Sequence, residues 1–66
     1  MNIILNGDPH IHNGKATIES LLDEVGAKKD HTALMLNGDV VPAEKWPTAS
    51  IQENDEIEML VFVGGG

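Results

Sequence analysis

Ala33-Leu34-Met35-Leu36-Asn37-Gly38-Asp39-Val40-Val41-Pro42 is the stretch from which the fold is read. An apolar run leads into Asn37-Gly38-Asp39. Asn-Gly is the strongest short hairpin signal, because both residues tolerate the positive φ that a tight two-residue turn demands. Val40-Val41 then makes a brief return strand. Pro42 stops it, since proline has no N–H for a ladder. The chain therefore carries a β-hairpin near its middle.

Working upstream, Met1, Ile3 and Leu5 share one parity and so one face of a strand. Asn6-Gly7-Asp8-Pro9 is turn chemistry. His10-Ile11-His12 alternates again and ends at Asn13-Gly14, which predicts a second, N-terminal hairpin. Thr17 is a good N-cap, because its hydroxyl accepts a bond from an otherwise unpaired N–H at the helix start. Ile18, Leu21, Leu22 and Val25 fall at i, i+3, i+4 and i+7, one apolar stripe. Glu19 in the first turn complements the helix dipole. Gly26 is the C-cap candidate, with Lys28-Lys29 just beyond. A helix of about two to three turns does not stand without a sheet to pack on.

Working downstream, Ala43 to Trp46 reads as one helical turn before Pro47. Asn54-Asp55 is a last turn, and Glu56 to Val63 the final strand. The order β-β-α-β-β-β predicts an α+β domain, a mixed sheet of four to five strands crossed by one helix. One domain over residues 1-66 is expected, with a flexible tail, Gly64-Gly65-Gly66.

Composition narrows the function classes. The chain has 66 residues, no cysteine, and 11 acidic against 4 basic side chains, a formal net charge of −7. Without cysteine there is no disulfide or zinc-thiolate site. The charge has the wrong sign for nucleic-acid phosphates and suits a partner with a basic dock. No signal-peptide pattern and no apolar run of spanning length is present, so a soluble cytoplasmic protein, not a membrane protein, is expected.

Few residues carry chemistry. His10-x-His12 places two imidazoles on one strand face. Metal sites need three or four ligands, no third stands nearby, and His31 lies far along the chain, so a solvated face is expected and no metal. Trp46 reads as a lid over a small core. Asp55, Glu56 and Glu58 read as a solvated rim, with no nucleophile beside them to complete a catalytic set. On the last strand Ile57, Met59, Val61 and Val63 are expected in the core. Glu58, Leu60 and Phe62 then face outward, as do Ile4 and Met35 on their strands. Ile4, Met35, Leu60 and Phe62 are thus expected to form one partner-binding apolar patch beside the tail. The tail has no Cβ at three successive positions, so it would lie extended in a narrow channel and present the Gly66 carboxylate to a partner enzyme.

Five features span nearly the whole chain: the opening strand with Asn6-Gly7; Leu34-x-Leu36-Asn37-Gly38-x-Val40-Val41-Pro42; Trp46; Asp55-x-Ile57-Glu58; and Val61-x-Val63-Gly64-Gly65-Gly66. In these the chain resembles the ThiS family, the ubiquitin-like β-grasp sulfur carriers of thiamine biosynthesis. The resemblance implies a carrier with no bound cofactor and no active site of its own. A ThiF-like adenylating enzyme would use ATP and magnesium to convert the Gly66 carboxylate to an acyl-adenylate. A persulfide donor would turn that into a thiocarboxylate, and a ThiG-like thiazole synthase would take the sulfur. Gly64 and Gly65 would be a slim tether, and the free carrier a monomer. A MoaD-like carrier of molybdopterin synthesis is the nearest alternative, although that group tends to carry a proline-containing segment before its di-glycine, absent here. A ubiquitin-like protein modifier and a plain acidic interaction domain are the rivals of other classes.

Overall fold

A computed structural model describes residues 1–62. Its first strand, β1 (Asn2–Leu5), turns back into β2 (Asp8–Ile11) through Asn6-Gly7, with φ of 50° and 84°. Both central residues at positive φ define the primed turn whose twist matches paired strands. The turn is shorter than the four residues expected, so the return strand begins at Asp8 and contains Pro9, which pairs with Ile4. Proline is tolerated there because β2 is an edge strand with an unpaired side.

The helix α1 (Ile18–Val25) begins and ends where local chemistry dictates. Thr17 Oγ1 accepts the Ser20 N–H at 3.2 Å, and Gly26 adopts the left-handed conformation at φ 74°. The Gly26 and Ala27 N–H groups return to the carbonyls of Asp23 and Leu22, satisfying orphan acceptors at the helix end. Ile18, Leu21 and Leu22 are fully buried. Val25, expected on the same stripe, is exposed: it is the last helical residue, beside the Gly26 turn, and lies outside the buried cluster.

A 3-10 turn at Lys29–His31, which propensity did not announce, leads into β3 (Thr32–Leu36). Asn37-Gly38, at φ 50° and 88°, turns the chain into the two-residue β4 (Asp39–Val40). A second 3-10 turn at Ala43–Lys45 precedes Trp46, and β5 (Glu56–Val61) closes the sheet. The sheet order is β2-β1-β5-β3-β4. The last strand runs between the first and the third, parallel to β1 and antiparallel to β3. This mixed five-stranded sheet with one helix is the expected β-grasp architecture.

One face of the sheet packs on α1. Ile3, Leu34 and Ile57 from the three central strands meet Ile18, Leu21 and Leu22, and Trp46 and Ile51 close the sides. Fully burying each such side chain contributes about 1.5–3 kcal/mol. Trp46 is the expected lid: it is buried, and its indole N–H donates to the Val41 carbonyl at 2.8 Å. Among the described residues no helix is long and apolar enough to cross a membrane.

Candidate functional site: the open face of the sheet and the strand that leads to the tail

Strand β5 is held from both sides by the two hairpin turns. Asn6 Oδ1 accepts the Met59 N–H at 2.7 Å, continuing the parallel ladder past the end of β1. Asn37 Oδ1 accepts the Glu56 N–H at 2.9 Å, while Asn37 N–H donates to the Glu56 carbonyl at 2.7 Å. Asparagine thus supplies both the positive φ of each turn and a side-chain acceptor for β5. Asp55 ties the same corner together. Its Oδ1 accepts from Asn37 Nδ2 at 3.0 Å and its Oδ2 from the Gln52 N–H at 2.7 Å. Asp55 is therefore a turn-bracing residue rather than part of a solvated rim, whereas Glu56 and Glu58 are exposed.

The pleat separates the two faces of β5. Ile57 is 1% exposed and Met59 packs on the core, while Leu60 and Phe62 are 65% and 59% exposed. Val61, expected in the core, is 55% exposed. Its parity points it to the helix side, but the packed cluster ends at Met59. The Phe62 N–H still donates to the His31 carbonyl at 2.7 Å, so backbone pairing continues past the last strand residue. Val63 and the expected functional glycines Gly64, Gly65 and Gly66 lie outside the described residues.

On the open face, Met35 and Leu60 come together. With Ala33, Leu34, Val40 and Glu58 they line a groove of about 160 Å³. The register explains the set: Ala33 faces Leu60, and Met35 faces Glu58 on one side and Val40 on the other. Ile4 is not part of the groove. It pairs with Glu56, four residues along β5 from Leu60, or about 13 Å at the usual strand rise. Glu56 and Glu58 lie between Ile4 and Met35, so the expected single patch is interrupted by two carboxylates. Phe62 continues the outward row beyond Leu60 but does not line the groove. Ala33 and Val40 escaped the sequence reading. The signal for Val40 was present, because a two-residue Asn-Gly turn puts Asp39 opposite Leu36 and Val40 opposite Met35.

The histidines depart furthest from expectation. His12 is buried, not solvated. Its Nδ1 lies 2.9 Å from Glu24 Oε1 on the helix, and His10 Nε2 lies 3.0 Å from the same oxygen. The Asn13 N–H donates to Glu24 Oε2 at 2.8 Å. The hydrogen bonds from His12, Asn13 and His10 together hold the Glu24 carboxyl at about 2, below its ordinary 4.5. Among the described residues no group of three or more His, Cys, Asp or Glu is placed to hold a metal ion.

Comparison with known proteins agrees with this geometry. The model of the ThiS family matches residues 3–66. Along its full length the chain is 27% identical to the sulfur carrier protein ThiS of Escherichia coli, covering all of that protein. It is 38% identical over 66 residues to a thiazole synthase of Magnetococcus marinus, of which it covers 20%. The chain thus spans about a fifth of the length of the thiazole synthases it matches. Among solved structures, the crystal structure of the thiamine biosynthesis protein ThiS from Geobacter metallireducens superposes with a TM-score of 0.82 at 30% identity, each chain covered completely. A sheet braced on β5, an open apolar face beside the strand that leads to the glycines, and a match running through residue 66 have one reading: this chain belongs to the ThiS family.

Proposed function

We propose that this chain is the sulfur carrier of thiamine biosynthesis, a cytoplasmic protein co-substrate whose reactive group is the Gly66 carboxylate. The observation that carries the reading is the extent of the family match, which includes the terminal glycines. A carboxylate is a poor electrophile. Attack of its oxygen on the α-phosphorus of ATP, on a ThiF-like enzyme that holds the nucleotide and magnesium, releases pyrophosphate and gives an acyl-adenylate. A persulfide sulfur then attacks the acyl carbon and expels AMP. A second thiol cleaves the resulting S–S bond and leaves a thiocarboxylate, the sulfur donor for thiazole formation. The hard chemistry belongs to the partners, and the carrier supplies position.

The open face suits this role. Met35, Val40 and Leu60 offer an apolar anchor site beside the strand leading to the tail, and Phe62 extends it. Glu56 and Glu58 offer a rim for a basic partner surface, which steers association at a net charge of −7. Ile4, proposed from the sequence for the same patch, lies across that acidic divide and is left out of this anchor site. The likeness to thiazole synthases supports a thiazole synthase as one partner of this module.

The test is ATP–pyrophosphate exchange with the cognate adenylating enzyme, followed by intact mass. Full-length chain should support exchange and, with a persulfide source, gain the mass of one oxygen replaced by sulfur. Chain lacking Gly65-Gly66 should do neither while keeping its fold. Undiminished exchange by the truncated chain would overturn the proposal. Covalent attachment of the chain to other proteins would move it to the modifier class.

A further inference from the structure

Asn-Gly occurs three times in the chain, at Asn6-Gly7, Asn13-Gly14 and Asn37-Gly38. The pair is chemically labile, because the glycine backbone nitrogen can attack the asparagine side-chain carbonyl carbon and no Cβ hinders the approach. Two of the three pairs make the hairpin turns, and there the fold occupies the side chains. Asn6 Oδ1 accepts the Met59 N–H at 2.7 Å. Asn37 Oδ1 accepts the Glu56 N–H at 2.9 Å, and its Nδ2 donates to Asp55 Oδ1 at 3.0 Å. Swinging either carbonyl carbon onto its own following nitrogen breaks these bonds and withdraws the acceptor from a β5 N–H.

Asn13-Gly14 is held differently. It follows β2, outside any strand or helix, and both residues are exposed. Asn13 is tied through its backbone, whose N–H donates to Glu24 Oε2 at 2.8 Å. Among the described residues its side-chain amide has no hydrogen-bond partner, and the Gly14 N–H has no acceptor. The nucleophile and the electrophile of this third pair are therefore both uncommitted. The space beside Gly14 is not. A Cβ on Gly14 would collide with Ser20 Oγ and come within 3.1 Å of His12 Cε1. The next carbonyl, that of Lys15, meets His12 Nε2. The connection from β2 to α1 is thus packed directly on the buried His12 ring.

We propose that Asn13 is the site at which this chain deamidates, and that its isoaspartyl product loosens the β1–β2 hairpin from α1. The Gly14 nitrogen gives up its proton and forms a bond to Asn13 Cγ, the Cγ–Nδ2 bond breaks, and ammonia leaves. Water then opens the cyclic imide. Attack at Cγ restores the original peptide link and gives aspartate. Attack at the main-chain carbonyl carbon routes the chain through Cγ and gives isoaspartate. One water is taken up and one ammonia lost, with no change of oxidation state. Isoaspartate lengthens the main chain by one carbon directly before Gly14, where even one added carbon meets Ser20. The connection must therefore shift. It carries the Asn13 bond to Glu24 and the Lys15 bond to His12, two of the ties that fasten the hairpin to the helix.

Peptide mapping by mass spectrometry on the full chain, aged in warm neutral buffer, tests the site, with fragmentation that separates isoaspartate from aspartate. In the folded chain the mass gain of amide to acid should appear first at Asn13. Asn6 and Asn37 should be slower by about tenfold, the order that one or two retained hydrogen bonds confers. In urea the three should react at comparable rates. Asn13→Gln, whose longer side chain closes the ring far more slowly, should remove the early product. Amide hydrogen exchange on the isoaspartyl form, separated by ion exchange, tests the consequence. Protection of the His12 amide, which bonds to the Met1 carbonyl, should fall by about tenfold or more. Reaction at Asn6 or Asn37 as fast as at Asn13 in the folded chain would overturn the proposal. So would an equal preference for Asn13 in urea, an early product that persists in Asn13→Gln, or undiminished His12 protection in the isoaspartyl form.

Discussion

Both hairpins of this sheet turn on Asn-Gly at positive φ, and in both the asparagine side chain accepts a backbone N–H of β5. Beyond the turns they part. The β1–β2 hairpin is bolted to the helix through His12, His10 and Glu24. The β3–β4 hairpin ends after a two-residue return strand and leaves Val40 71% exposed above the groove. One turn chemistry thus serves a braced hairpin and an open one, and the difference comes from what each second strand meets. The return strand β2 leads into a residue packed against α1, whereas β4 leads to Val41, Pro42 and the Trp46 lid and keeps its outer side bare. On the proposed reading, the bracing of β5 by both turns gives a stable mount for the strand that leads to the tail, and the apolar exposure beside β4 gives a surface for a partner.

The largest expected effect removes what both hairpins share. Ile57→Ala on β5 should cost about 2–5 kcal/mol, the range for truncating a buried aliphatic side chain, and should lower the urea midpoint accordingly. A loss below about 1 kcal/mol would show that the two hairpins do not rest on a common core.

Changes at the turns come next and should be alike. Asn6→Ala and Asn37→Ala should each cost about 1–3 kcal/mol, through a disfavoured positive φ and an orphaned β5 N–H. Asn37→Gly relieves the φ term and keeps only the hydrogen-bond loss, so its midpoint should fall between those of Asn37→Ala and wild type. Equal midpoints for the Ala and Gly variants would assign the whole effect to the hydrogen bond.

Surface changes should separate binding from stability. Leu60→Asp and Phe62→Asp should leave stability within about 0.5 kcal/mol. The same variants should weaken binding to an adenylating enzyme by about 1–3 kcal/mol, measured by calorimetric titration. Ile4→Ala, across the Glu56–Glu58 divide, should bind more nearly like wild type. Equal losses at Ile4 and Leu60 would mean that a partner spans both sides of the divide.

The smallest effect at neutral pH is the acid response of the braced hairpin. The folded-state value of Glu24 is depressed to about 2 from 4.5. Its contribution is therefore fully present above about pH 4.5 and is lost as pH falls toward 2. Glu24→Gln should flatten that part of the acid unfolding curve and leave the rest unchanged. An unchanged curve would show that the carboxylate is not coupled to folding.

The first of these elements were legible from the chain because their causes are local. Asn-Gly sets a turn through the φ of two residues, Thr17 caps through a contact three residues away, and Gly26 ends the helix by its own conformation. Parity likewise put Leu60 and Met35 on the outer face, since side chains alternate along any strand. Register between strands distant in sequence was not legible. That Ile4 sits beside Glu56, that Met35 faces Glu58, and that the packed core ends before Val61 depend on how distant segments align. The misreading of His12 has the same origin. Alternation says that His10 and His12 share a face, but not that this face meets Glu24 on a helix crossing behind it. Short-range sterics and hydrogen bonding are written in neighbouring residues. Burial and the pairing of charges across the core are properties of packing, which exist only once the helix lies on the sheet.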